Sequence, residues 1–311
     1  HNGRRRQRQM CIRDRATKEL SSNLNAQEGT EPGSVSSFNS NGFSVGSNGG
    51  VNGNGDTFVA WCWKAGGAAV SNSDGSITSS LSANQEAGFS IVTYTGTGSV
   101  ATVGHGLGKV PKLVITKLRD TTTQDWFMNF GEITGSHGTS AVSDFTGDRG
   151  KYVKLNTTGA EVSDTTVYPN TAATSTVYSV GTDNAVNGSG SKYVAYCWSE
   201  IPGYSKFGSY EGKDDAAGTY VHLGFRPAFL MIRKRQGEDT VVYDIKNSTR
   251  NEIGQNGRLY WSLSNTQSGT TKDIDFHSNG FKCRKFNGLF NAATSNAVYV
   301  YMAFAEKPDL T

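Results

Sequence analysis

The segment GFSVG, residues 42–46, has the G-x-S-x-G spelling of a nucleophile elbow. In an elbow the serine sits on a tight strand-to-helix turn that offers its Oγ to a base and an oxyanion hole. Ser44 would be that nucleophile. The chain tests the reading internally, because the surrounding sequence is written three times. Ser44 becomes Ser179 in YSVG (178–181) and Lys282 in GFKCR (280–284), and the flanking glycines come and go. A nucleophile cannot be exchanged for an amine and keep its chemistry. Ser44 therefore reads as an outward-facing serine at the start of a hairpin.

The other candidates meet the same test. GNGDTF (53–58) resembles one calcium-binding nonapeptide, a motif that works only in stacked copies, and Asp56 is replaced by Ser191. DTTTQD (120–125) and DFTGD (144–148) place carboxylates close together in loops. Calcium needs about six to eight converging oxygens, and a glycosidase needs two carboxylates aimed at one sugar bond. No such pair recurs in both long copies. His105, between Gly104 and Gly106, is a weak candidate for a ligand or pH role, set against a histidine hydrogen-bonded in a turn. Its counterpart, His222, stands one place later in VHLG. Trp126 is a weak candidate for stacking on a sugar. MIRKR (231–235) puts alternating charge on a strand and reads as a solvated face, without the interleaved aromatics of a base-stacking platform. The expectation is a protein that is not an enzyme, with no metal and no cofactor.

The elements behind these residues are strands. SKYVAYCWSE (191–200), TFVAWCWKA (57–65) and AVYVYMAFAE (297–306) spell one strand three times. Side chains alternate across a strand. Tyr193, Ala195 and Cys197 share one face, and Val194, Tyr196 and Trp198 share the other. The likeness runs backwards: residues 43–63 and 178–198 agree at about half their positions. Each copy reads as a hairpin with a Gly/Asn loop, since Gly and Asn tolerate positive φ. A front half is shared too. IVTYTG (91–96) and FGSYEG (207–212) each lead to a Leu-Gly, a Pro and a short β-branched run, LGKVPKLVITK (107–117) and LGFRPAFLMIR (223–233). KYVKLNTTG (151–159) and RLYWSLSNT (258–266) follow, and ATKELSSNL (16–24) is the first copy of that element. Its composition favours helix; the repeat assigns it to strand.

The chain accordingly divides into a leader, residues 1–14, expected to be non-native and disordered; the back part of a truncated first repeat, 15–67; a Ser/Gly/Asn linker, 68–87; two full β domains, 88–200 and 204–306; and a tail, 307–311. The expected fold is all-β, with tandem sandwich or jelly-roll-like domains of antiparallel strands. The leader matters for charge. It holds five arginines and one aspartate, and without it the formal net charge of +3 falls to about −1. Nucleic-acid binding then loses its electrostatic motive. No apolar run approaches the roughly 18 residues of a membrane span. Of the four cysteines, Cys62 and Cys197 share a position that Ala303 also fills, which reads as a small buried spot. All read as reduced thiols.

WCWKAGG (61–67), AGFSIVTYTGTG (87–98), VGHGLGKVPKLVI (103–115), YVAYCWSEIPGYSKFGSYEG (193–212) and GFRPAFLMIRK (224–234) together resemble a repeated domain in virion proteins of marine bacteriophages. The resemblance covers nearly everything after residue 15. It implies a virion structural protein, a tail-fibre or adhesion module presenting a host-binding surface, in an extracellular particle. The expected partners are other virion subunits and a host surface glycan, with a homotrimer as the oligomer. It brings no catalytic residues. The alternative is a carbohydrate-binding, lectin-like module of a secreted or surface protein, with Trp126 stacking on sugar.

Overall fold

The computed structural model describes residues 10–11, 16–121, 124–131, 133, 135–136, 149–213, 218–238, 240–244, 254–255, 258–261, 273–284, 289–292 and 297–306. DFTGD (144–148), the tail and most of the leader lie outside them. Met10–Cys11 of the leader is described and pairs as a short strand with Lys18–Leu20, so the expected disorder does not extend to these two residues.

The fold is all-β and built from layered, mostly antiparallel sheets, with Gly135–Ser136 joining Ser205–Glu211 in parallel. One large sheet runs, in order, Val162–Ser163, Lys151–Lys154, Phe127–Asn129, Leu113–Leu118, Lys192–Trp198, Phe89–Thr95, Ser79–Asn84 and Val70–Asn72. The second large sheet runs Gly135–Ser136, Ser205–Glu211, Val298–Ala305, Pro227–Lys234, Val241–Asp244 and Arg258–Tyr260. Five consecutive strands correspond between them. In both, the aromatic strand lies between the first strand of its own copy and the β-branched strand after the proline. Each large sheet has a smaller companion. Ala101–Gly104 pairs with Val177–Val180, and Tyr220–His222 pairs with Gly280–Cys283.

Three apolar layers follow from this stacking. Val92, Tyr94, Val103, Val180, Tyr193, Ala195 and Cys197 pack between the first large sheet and its companion. Tyr210, Ile232, Phe281, Cys283, Tyr299 and Ala303 do the same in the second unit. The third layer lies between the two large sheets. Ile115, Met128, Val194, Tyr196 and Trp198 from one meet Phe229, Met231, Val242, Met302 and Phe304 from the other. The central strands are thus buried on both faces, which is why they spell near-continuous apolar runs.

The supposed hairpins are crossovers instead. Val177–Val180 and Lys192–Trp198 belong to different sheets, and the Gly/Asn loop carries the chain from one layer to the next. Asn187, fully buried, holds this loop. Its Nδ2 donates to the carbonyls of Ser99 (2.6 Å) and Gly181 (2.7 Å), and its Oδ1 accepts from Thr97 N (2.8 Å). Asn291 occupies the same place in the second unit and accepts from Lys213 N. The tyrosines above the loop recur as well. Tyr94 stacks on Tyr193 and Tyr210 on Tyr299, both at 5.2 Å, and each outer hydroxyl donates to a loop carbonyl, Val186 or Phe290, at 2.7 Å.

The first copy repeats these hydrogen bonds only in part. Lys18↔Thr30 and Glu19↔Gly29 match Lys151↔Ser163 and Tyr152↔Val162, so ATKEL contains a strand, as the repeat requires. Asn52 Nδ2 donates to Gly46 O as Asn187 Nδ2 does to Gly181 O. Beyond the loop the likeness ends. TFVAWCW, expected as a strand, lies outside every strand. It wedges between the two large sheets. Trp61 stacks on Trp261 and meets Phe229 edge-on, while Trp63 meets Trp198, Phe229 and Phe304. Among the described residues no strand pairs with this segment, and aromatic contacts hold it instead.

Residues 68–87 are not a linker. Val70–Asn72 and Ser79–Asn84 extend the first large sheet beyond Phe89–Thr95. A period of two hides in ITSSL: Ile77, Ser79 and Leu81 are buried while Thr78 and Ser80 are exposed. Small hydroxyl side chains suit either face, so the composition masked the strand.

Candidate functional site

Ser44 lies in the strand Gly42–Val45 of a hairpin, and its Oγ accepts from Asn39 Nδ2 at 3.1 Å. There is no elbow. Trp126 is fully buried in the layer between the large sheets, and its Nε1 donates to the carbonyls of Ser21 (3.0 Å) and Leu24 (3.2 Å). It cannot present a face to sugar, so the expected stacking role is corrected. The first copy packs over it and supplies both acceptors.

His105 is also buried. Its backbone N donates to Thr176 O, Leu107 N donates to its Nδ1 at 3.2 Å, and its Nε2 lies 3.2 Å from Thr174 O. An Nδ1 that accepts requires Nε2 to carry the proton, so the ring is neutral. Burial lowers its pKa, and the bond to Thr174 O opposes that shift only in part. The turn needs glycine beside it. Gly106 has φ +68°, and a Cβ there would meet Leu81 Cδ1 at 2.8 Å. His105 is a staple between two loops.

MIRKR is not a solvated face. Arg233 is fully buried and Arg235 nearly so. Arg233 Nη2 donates to Gly159 O at 2.6 Å, and Arg235 grips Glu161 with Nε at 2.6 Å and Nη2 at 2.7 Å. The loop 158–161 of the other unit covers them, which no pattern within MIRKR could reveal. Two carboxylates of DTTTQD are occupied separately. Asp120 accepts from Lys192 N. Asp125 bonds Asn156 (2.8 Å) and Lys154 (2.9 Å). Burial alone would raise the Asp125 pKa, but those two bonds and the charges of Lys154 and Lys117 together hold it low. Among the described residues no group of three or more His, Cys, Asp or Glu converges as metal ligands would.

The thiols differ by copy. Cys197 and Cys283 are buried, and burial pushes each up to about 12. Cys62 is exposed, against the expectation of a small buried spot. Its face corresponds to that of Cys197, but among the described residues no companion sheet covers it. Burial still raises its pKa somewhat. Lys117, inside the sheet, was not singled out by sequence. Its Nζ donates to Leu118 O (2.9 Å) and Asn25 O (3.3 Å), and burial lowers its pKa to about 8 against the pull of Asp125.

A shallow groove of about 320 Å³ lies on the outer part of the first large sheet. Ser71, Ser80, Thr93 and Thr95 line it, with Arg119 and Lys192 at one side. The register aligns Ser71, Ser80 and Thr93 across three strands. Arg119 is paired with Glu28 at 2.9 Å, while Lys192 is exposed. Hydroxyls that donate and accept beside a cation suit a polyol or an anion.

These features define an all-β protein of face-to-face sandwiches, in which His105, Asp125, Arg233 and Arg235 are hydrogen-bonded within the fold. The chain belongs to a family described as a domain of unknown function (DUF7483), whose model matches residues 6–308. No curated protein and no solved structure matches it.

Proposed function

We propose that the protein is a structural module of a bacteriophage virion, a tail-fibre or adhesion component that presents a surface to the host and performs no catalysis. The observation that carries this reading is the aromatic layer between the two large sheets. It makes one stiff block of two sandwiches, as a particle component under mechanical strain requires. The hydroxyl-lined groove beside Lys192 is the surface offered for contact. Other virion subunits and a host surface glycan are the partners, and a homotrimer is the assembly. Carbohydrate binding as the main role remains the second reading, and it would use this groove rather than Trp126.

Mass spectrometry and immunogold labelling of purified particles test the proposal. The protein should be present at a fixed stoichiometry and labelled at the tail. Its absence from washed particles would refute the assignment. Binding of the purified chain to host cells should weaken in Lys192→Glu.

A further inference from the structure

A layer between two sheets needs two contributors, and the layer between the large sheets has three. The ladder registers place Leu20, Val153 and Leu259 at one position of the repeat, and all three are buried in this layer. The aromatic runs align Val59 with Val194 and Val300, Trp61 with Tyr196 and Met302, and Trp63 with Trp198 and Phe304. Every one of these packs in the same layer. Trp63 touches its counterparts in both other copies, Trp198 at 6.0 Å and Phe304 at 5.8 Å between ring centroids. Equivalent residues of three copies meet in one place when an axis of approximate threefold symmetry runs beside it.

The contacts between copies run in one direction. Glu28 and Glu161 are equivalent loop residues, and Arg119 and Arg235 are equivalent strand-end residues of the next copy. Glu28 N donates to Arg119 O at 2.8 Å, and its carboxylate accepts from Arg119 Nε at 2.9 Å. Glu161 N donates to Arg235 O at 2.6 Å, and its carboxylate accepts from Arg235 Nε at 2.6 Å. Beside each clasp, the cation two residues earlier, Lys117 or Arg233, donates to a carbonyl of the same loop, Asn25 or Gly159. The first copy thus grips the second, and the second grips the third. The third returns to the first. Trp261 stands where Leu155 stands in the second copy, and it stacks on Trp61 at 5.7 Å with the planes 20° apart. A head-to-tail contact repeated by rotation either closes or runs on as a filament; here it closes.

We propose that the three copies form a closed ring about a pseudo-threefold axis inside one chain. The glutamate clasp is the joint from first to second and from second to third, and the Trp261–Trp61 stack closes the circuit. Each copy is then held by both of its neighbours, so loosening one joint loosens a copy on the far side of the ring. The inference rests on the three-copy reading and not on the virion assignment, and it concerns the interior of a single chain.

Amide hydrogen exchange of the full chain reads each joint, because the Glu28 and Glu161 amides are themselves clasp donors. Arg119→Met should speed exchange at Glu28 by about tenfold more than at Glu161, as expected for losing a hydrogen bond to a charged group. Arg235→Met should do the reverse. If Arg235→Met does not fold, Glu161→Gln should give the same pattern at about threefold. Trp261→Ala separates a ring from an open row. Phe281→Leu, in the third copy's own layer, is its control, with urea used to match the two in global stability. In a ring, Glu28 exchanges about tenfold faster in Trp261→Ala than in the control. Equal Glu28 rates in the two matched variants overturn the closure. Clasp variants that speed both glutamate amides equally overturn the pairing of copies.

Discussion

Replacing Asn187 with alanine should be among the most damaging changes outside the apolar layers. The side chain is fully buried and serves three backbone groups, two carbonyls and one N–H. Each buried group left without its partner costs about 1–3 kcal/mol, with carbonyls at the low end because they hold two lone pairs. Two carbonyls and one amide give a loss of about 3–4 kcal/mol. The three copies supply an internal control. Asn52 keeps the bond to Gly46 O, but that bond is exposed and the front-half partners are missing. Asn52→Ala should therefore cost under about 0.5 kcal/mol. Urea unfolding of both variants, followed by tryptophan fluorescence, measures the difference. Equal small losses at Asn187 and Asn52 would refute the reasoning, because burial of the clasp would then contribute nothing.

Lys117→Met should stabilise the protein at pH 7. Native Lys117 loses its proton at about 8 and the unfolded chain near 10.5, so the unfolded state binds more protons between these values and wild-type stability rises across that window. The cost of the buried charge is fully present below pH 8. After subtracting the two lost hydrogen bonds, a gain of about 1–2 kcal/mol is expected at pH 7, fading toward pH 10; a pH series of denaturant midpoints checks it. His105 has the same sign of linkage. Its native pKa lies below the unfolded 6.5, so stability should fall as pH drops from about 6.5, and His105→Gln should flatten that slope. Trp61→Ala should cost about 3 kcal/mol through the cavity left against Phe229 and Trp261, measured as a lowered unfolding midpoint.

Strand identity was legible in YVAYCW and VYVYMAFA because β-branched and aromatic residues crowd both faces of a short run, and the copies overruled the helical composition of ATKEL. Layer assignment was not. VYSV and KYVAYCW are neighbours in sequence, and a Gly/Asn loop serves a hairpin and a crossover equally well. MIRKR and Trp126 were misread for a related reason. What covers them, the loop 158–161 and the carbonyls of Ser21 and Leu24, comes from distant sequence. TFVAWCW carries strand spelling without strand neighbours, and spelling cannot supply a ladder partner. His105 was correctly weighed against a turn role, since two adjacent glycines already signalled tight backbone. Lys117 escaped notice because the sequence does not show the depth of the sheet around it.

The shared aromatic layer has a mechanical consequence. The joint between the two units is short, but Trp198, Phe229, Met302 and the inserted Trp63 join them across a broad area. A pull applied to the two ends would not swing one unit about the Ile201–Gly203 junction. It would have to shear the whole sheet-to-sheet contact at once, so the molecule should yield in a single high-force step instead of extending by degrees.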